Sequence, residues 1–270
     1  MRNIKILFSS LLLIITFTGC LRVNTTINLN PDGSGTIEET VFMKEAVLDM
    51  IRQFTSAFDE NGEAEEFTFY KEDEQRNKAG DYGEGVVFKS GQILSEPDWE
   101  GYKVIYSFSD INKLKIDPSP DNKVNIGDEV QEESEPVREF VTFNFNKGNP
   151  SELKINFPKP DFENNETTET VEADTTDAGM NDMFKNMFEG MKISVNLKVN
   201  GKIEETNASF VKDNNITMME IDFANILLDD DLVKALDSQK PQSLDEFREL
   251  TKDVEGIKIE FNEQVNVKFR

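Results

Sequence analysis

Two periodicities run through this chain. Leu21, Val23, Ile27 and Leu29 alternate with Arg22, Asn24, Thr26 and Asn28, and after Pro31-Asp32-Gly33-Ser34-Gly35 the strand-like pattern resumes from Thr36 to Phe42. Alternation on both sides of a turn-rich pentapeptide predicts a β-hairpin. Between Lys44 and Phe58 the apolar residues Val47, Leu48, Ile51, Phe54 and Phe58 recur at three and four, uninterrupted by Gly or Pro, which predicts an amphipathic helix ended by Asn61-Gly62. A charged stretch, Lys71 to Lys78, separates it from strand-like segments at Gly85 to Leu94 and Tyr102 to Phe108. Ser109 to Leu114 reads as a capped turn or short helix.

Residues 117 to 137 are rich in Asp, Glu, Pro and Ser and read as a solvated loop. Val141, Phe143 and Phe145, then Leu153, Ile155 and Phe157, alternate around Gly148-Asn149-Pro150 and predict a second hairpin. Asp161 to Asp177 holds seven acids, five threonines and no base, a composition with little to bury and therefore read as a flexible linker. After it, Met180, Met183, Phe184, Met187, Phe188 and Met191 mark one face of a short helix. Ile193, Val195, Leu197 and Val199 lead into Asn200-Gly201, read as a hairpin whose three-residue loop pairs Val199 with Ile203. Ile216 to Phe223 predicts a strand and Ala224 to Leu236 a helix, and Ser243 followed by Glu246 is the capping-box pattern for a helix from Leu244 to about Lys252. From Ile257 to Phe269 the apolar residues hold odd positions, predicting one long strand or a hairpin of matched phase beside the N-terminal hairpin.

These elements predict an α+β class: an antiparallel sheet built from hairpins, with two or more amphipathic helices packed on it and an acidic loop. The expected organisation is a removed leader at 1–19, the first part of the exported domain at 20–160, the acidic Thr/Glu-rich loop at 161–179, and the second part of the domain at 180–270.

Composition removes several functions. There is no histidine and one cysteine among 270 residues. Imidazole-activated nucleophiles, imidazole-ligated metals and an intrachain disulfide are therefore excluded. The formal net charge of −24 opposes nucleic acid, whose affinity comes from Lys and Arg displacing counterions. No cofactor motif is present, and none is expected.

The leader carries the most specific signal. Arg2 and Lys5 precede an apolar run from Ile6 to Phe17, and Phe17-Thr18-Gly19-Cys20 follows. A basic start, a short apolar run and a small-residue exit form a secretory signal segment, too short to span a membrane. The cysteine placed directly after Gly19 resembles the lipobox of bacterial lipoproteins. That resemblance implies cleavage between Gly19 and Cys20 and acylation of the Cys20 thiol by a diacylglycerol. Two or three acyl chains at about 0.8 kcal/mol per buried methylene hold a protein stably. Cleavage removes two of the 29 basic and none of the 53 acidic side chains, leaving −26. Such a body is repelled by anionic head groups. The expected location is the exported side of the envelope, on the periplasmic face of the outer membrane in a two-membrane host.

Cys20-Leu21-Arg22-Val23 leading into Asp32-Gly33-Ser34-Gly35, together with Gly201-Lys202-Ile203-Glu204-Glu205-Thr206-Asn207-Ala208, is similar to LppM-like bacterial lipoproteins. The resemblance implies an α+β exported domain connected with the cell envelope and with lipid or glycolipid handling, and without established catalytic residues.

Three constellations bear on chemistry. Asn28, Asn30, Asp32, Gly33 and Glu39 fall at calcium-loop spacing, but their flanks alternate as strands, so the hairpin accounts for them and no metal is expected. The runs Asp229-Asp230-Asp231 and Glu132-Glu133 read as solvated charge. The Met183, Phe184, Met187 and Phe188 face is the candidate surface for a ligand or partner. The expected function is a lipid-anchored, non-catalytic envelope lipoprotein, fixed to the membrane through Cys20 and binding a lipid or envelope protein. The alternative is a carboxylate-dependent envelope hydrolase, which needs two acids held at a set separation in a cleft.

Overall fold

The structure is a computed structural model that describes residues 21–57, 67–117, 140–158, 190–228 and 243–270. Strands β1 (Leu21–Leu29) and β2 (Gly35–Lys44) form the expected hairpin, with Leu21 opposite Met43 and Leu29 opposite Gly35. Their alternating burial follows the alternating sequence, Val23, Ile27, Ile37 and Val41 all facing inward. Helix α1 (Glu45–Ala57) follows at once, and its Val47 and Leu48 close with Met43 into a small core edged by Leu21 and Ile51.

Helix α2 (Glu72–Lys78), continued by a 3-10 turn at Ala79–Tyr82, occupies the stretch read from sequence as merely charged. It has no apolar stripe; Gln75 is its buried residue. β3 (Val87–Glu96) and β4 (Trp99–Phe108) follow, and a 3-10 turn at Ile111–Lys113 is capped by Asp110, whose side chain accepts from the Asn112 amide at 3.0 Å. β5 (Lys115–Ile116), β6 (Val141–Asn146) and β7 (Ser151–Asn156) complete the first half, with β6 and β7 paired as the expected second hairpin.

The second half holds β8 (Lys192–Val199), β9 (Ile203–Thr206), β10 (Val211–Lys212), β11 (Asn215–Asp222), α3 (Phe223–Leu228), α4 (Leu244–Thr251), β12 (Ile257–Ile259) and β13 (Gln264–Phe269). Helix α4 begins as its sequence predicts: the Ser243 hydroxyl accepts from the Glu246 amide at 3.2 Å.

The strands form two sheets. One runs β10-β11-β8-β1-β2-β4-β3, with β12 also paired to β11; the other runs β5-β6-β7-β13-β9. Their inner faces share one contiguous core, in which Ile27, Ile37, Val104 and Leu197 of the first sheet join Phe143, Ile155, Val267 and Phe269 of the second. At about 1.5–3 kcal/mol for each fully buried aliphatic or phenyl side chain, this shared layer is the main source of stability. The architecture is mixed and strand-rich, consistent with the α+β class.

Four details correct the sequence reading. A second sheet, rather than helices alone, covers the inner face of the first. The first sheet is not wholly antiparallel, because β8 lies parallel to β1, Arg22 beside Lys192 and Leu29 beside Val199. Val199 and Ile203 do not pair across Asn200-Gly201; there the chain passes from one sheet to the other. The Asn200 amide donates to the Leu29 carbonyl at 2.7 Å, and Lys202 and Arg270 exchange backbone bonds at 2.6 and 3.0 Å. Gly201 sits so close to the Arg270 carbonyl that a Cβ would collide with it.

Finally, Ile257–Phe269 is neither one strand nor a hairpin. β12 pairs with β11 in the first sheet, while β13 lies between β7 and β9 in the second, away from the N-terminal hairpin. The change of sheet at Asn200-Gly201 leaves no mark on the pattern for a simple reason. Both inner faces point into one core, so alternation keeps its phase when the chain changes sheet.

Candidate functional site

Gly19, Cys20 and the Met183, Phe184, Met187 and Phe188 face all lie outside the described residues, as do the loop at 118–139, the acidic linker and the runs at 132–133 and 229–231. Of the Met/Phe stripe, Met191 is described: it is buried just before β8, and its carbonyl accepts from the Phe223 amide at 3.1 Å. Of the predicted helix from Ala224, the described part ends at Leu228.

The calcium-spaced residues are used otherwise. Asp32 accepts from the Ser34 amide and hydroxyl at 3.0 and 2.7 Å, and these bonds hold its carboxyl below the usual range. Asn30 Nδ2 donates to Ser34 Oγ at 3.0 Å. Glu39 points the other way, into the core. Among the described residues no group of His, Cys, Asp and Glu is arranged to hold a metal.

Glu39 instead centres a buried polar cluster. It lies mid-strand on β2, fully buried, and accepts from Lys78 Nζ at 2.7 Å and from the Tyr82 hydroxyl. Lys78 ends α2 and keeps 18 % of its side chain exposed, so the pair joins the core to the surface. Tyr106 on β4 donates to Gln75 Oε1 at 3.1 Å. The Tyr82 and Tyr106 rings meet tilted with centroids 5.1 Å apart, and those of Tyr70 and Tyr102 likewise at 5.5 Å. All four tyrosines of the chain therefore meet over β4. Burial raises each phenol above its ordinary value; the Glu39 charge adds to this for Tyr82, Tyr102 and Tyr106, and Glu72 for Tyr70. Sequence reasoning missed the cluster because Glu39 sat inside a strand pattern and its partners lie about forty residues away. A charged residue at an inward position of β2 was the available signal.

A second buried carboxylate, Glu260, accepts from the Ser209 amide and hydroxyl at 2.6 and 2.9 Å and from Asn262 Nδ2 at 2.8 Å. Glu260 follows β12, on the far side of β11, β8 and β1 from Glu39. At about 4.8 Å per strand spacing, four spacings put about 19 Å between β12 and β2, wider than glycoside hydrolysis uses. The two acids do not converge; each fixes a local fold.

The end of the first sheet where β1 begins gathers a different set. The Arg22 guanidinium stacks on the Trp99 ring at 3.8 Å and donates to the Gly190 carbonyl at 3.0 Å, and Lys44 Nζ lies 5.8 Å from the same ring. Arg22 also approaches Glu96 at 3.6 Å. The Pro97-Asp98 turn closes beside them, its Asp98 carbonyl accepting from the Glu45 amide at 3.0 Å. On α1, Arg52 reaches Glu100 at 2.7 Å, and those bonds raise its guanidinium pKa. Met50 is 43 % exposed on the same helix.

No protein-family model and no curated protein sequence matches the chain. Among solved structures, it is similar to the folded domain of LppM from Mycobacterium tuberculosis, determined by NMR, at 9 % identity and a TM-score of 0.27 over 73 % of this chain and 80 % of that one. The likeness is slight. Among the described residues, no helix is long and apolar enough to cross a membrane.

Proposed function

We propose that this protein is a lipid-anchored, non-catalytic lipoprotein of the bacterial cell envelope that binds a lipid or protein component of that envelope. The observation that carries the reading is the pairing of Leu21, the residue after Cys20, with Met43 on β2. The lipobox resemblance of Phe17-Thr18-Gly19-Cys20 puts the mature N-terminus at the residue before this paired position. The single cysteine stands at the acylation position.

The core between the two sheets is filled by side chains at or near zero exposure, among them Ile27, Leu29, Ile155 and Phe269. A ligand would therefore be met outside that core, and the Met183, Phe184, Met187 and Phe188 face is the candidate surface for it. The buried carboxylates are committed to Lys78, Tyr82, Ser209 and Asn262, which favours a binding role over hydrolysis.

Metabolic labelling with an alkyne fatty acid in a bacterial host, followed by membrane fractionation, tests the anchor. The wild-type chain is expected to carry label and sediment with membranes, and Cys20→Ser to be unlabelled and soluble. An unlabelled wild-type chain, or membrane retention of Cys20→Ser, overturns the reading.

A further inference from the structure

We infer that the end of the domain formed by the start of β1, α1 and the Pro97-Asp98 turn lies against the head-group surface of the bilayer. The inference rests on acylation of Cys20 and adds to it an orientation. The argument is the length of the tether. β1 begins at Leu21 and is locked from its first residue, Leu21 opposite Met43 on β2 and Arg22 beside Lys192 on β8. One residue spans at most about 3.6 Å, so no linker separates the acyl chains from a strand in the middle of the sheet. The diacylglycerol backbone sits at head-group depth, and the first rung of the sheet follows directly.

Elements at that rung are held there by the contacts already described. Leu21 packs against Met43, Val47 and Leu48, which places the first turns of α1 beside the tether. Lys44 pairs with Trp99 and Met43 with Glu100, which brings the Pro97-Asp98 turn to the same level. The opposite end carries the Pro31 to Ser34 turn and the Lys147 to Pro150 turn, joined by the Ser151 hydroxyl donating to the Pro31 carbonyl at 3.2 Å. Nine residues of β1 separate the ends. At about 3.3 Å per residue the far end stands about 26 Å above the near one.

Charge does not hold this end down. Arg22 is paired with Glu96, Arg52 with Asp49 and Glu100, and Lys192 with Glu220. The tether alone sets the orientation. The membrane contact is therefore insensitive to salt.

Because acylation consumes the single cysteine, an introduced thiol is the only free one. Met50→Cys near the tether and Lys147→Cys at the far end are both at exposed positions and tolerate a bimane label. The full acylated chain is reconstituted in phosphatidylcholine/phosphatidylglycerol vesicles containing head-group nitroxide lipid, after intact mass has established acylation. Quenching is expected to be several-fold stronger at position 50 than at 147, and to persist in about 1 M salt, where the Debye length is about 3 Å. Equal quenching at both positions, none at 50, or loss in salt overturns the orientation while acylation stands. A second copy or a protein partner on this end would give the unquenched result at 50. An unacylated mass refutes the anchor itself, and the orientation with it.

Discussion

Thr25 and Glu39 oppose each other across the β1–β2 pair, both fully buried, yet Glu39 is bonded to Lys78 and Tyr82 while the Thr25 hydroxyl has no partner among the described residues. An unpaired hydroxyl in the core forfeits its hydration without return. Thr25→Val keeps the β-branched shape and removes the orphan. It is expected to stabilise the fold by about 1 kcal/mol or more, read as a higher urea midpoint at unchanged slope. Destabilisation would mean that the hydroxyl is bonded in solution.

Glu39 and Lys78 are unequal partners. Lys78→Met leaves a fully buried carboxylate without its ammonium, a loss expected to cost about 3–5 kcal/mol. Glu39→Gln removes the charge but keeps an oxygen for the Tyr82 hydroxyl, and Lys78 has a route to water. Its expected cost is smaller, about 1–3 kcal/mol. Urea denaturation of the two variants checks the order; equal costs would show that the pair is effectively solvated.

The four clustered tyrosines give the protein an alkaline limit. Free phenols ionise near pH 10. In the folded chain burial, joined by the Glu39 charge for three of them, keeps the phenols protonated above that value. The folded state therefore binds more protons than the unfolded one above about pH 10, so its stability falls as pH rises through that region and is unaffected below it. Absorbance at the tyrosinate band is expected to stay flat until the protein unfolds and then to rise in one cooperative step that coincides with loss of circular dichroism. Separate, early titration of most of the phenols would show that the cluster is open to water.

What the sequence made legible was local. The hairpins at 21–44 and 141–156 and the Ser243 cap depend on neighbours a few residues apart, and their alternation or spacing named them directly. Partner choice between sheets was hidden, because Val199 of β8 and Ile203, Val265 and Phe269 of the second sheet all face one shared core. Helix α2 was hidden for a different reason. Its residues Glu72 to Lys78 include no hydrophobe, and what binds it to the sheet is Gln75 to Tyr106 and Lys78 to Glu39, polar contacts that leave no periodic trace. The same polarity concealed the tyrosine cluster.

Glu220 supplies the acid limit. It joins three strands, accepting from Lys258 of β12 at 2.8 Å and meeting Lys192 of β8 at 3.2 Å from its own place on β11. Burial pushes its carboxyl up, but the two ammonium groups outweigh burial and hold it below the ordinary value of 4.5. A carboxylate whose folded pKa is depressed contributes stability that is fully present above its unfolded pKa and disappears as pH falls through the folded one. Many other acids titrate in the same range, so the informative quantity is the difference between wild type and Glu220→Gln. At pH 7 the variant is expected to lose about 1 kcal/mol, since the pair is only partly screened from water. The gap should close steadily below about pH 4.5, as Glu220 itself becomes protonated in the wild type. Urea midpoints across that range decide the matter: a gap that persists at low pH would mean that Glu220 acts through packing rather than through its charge.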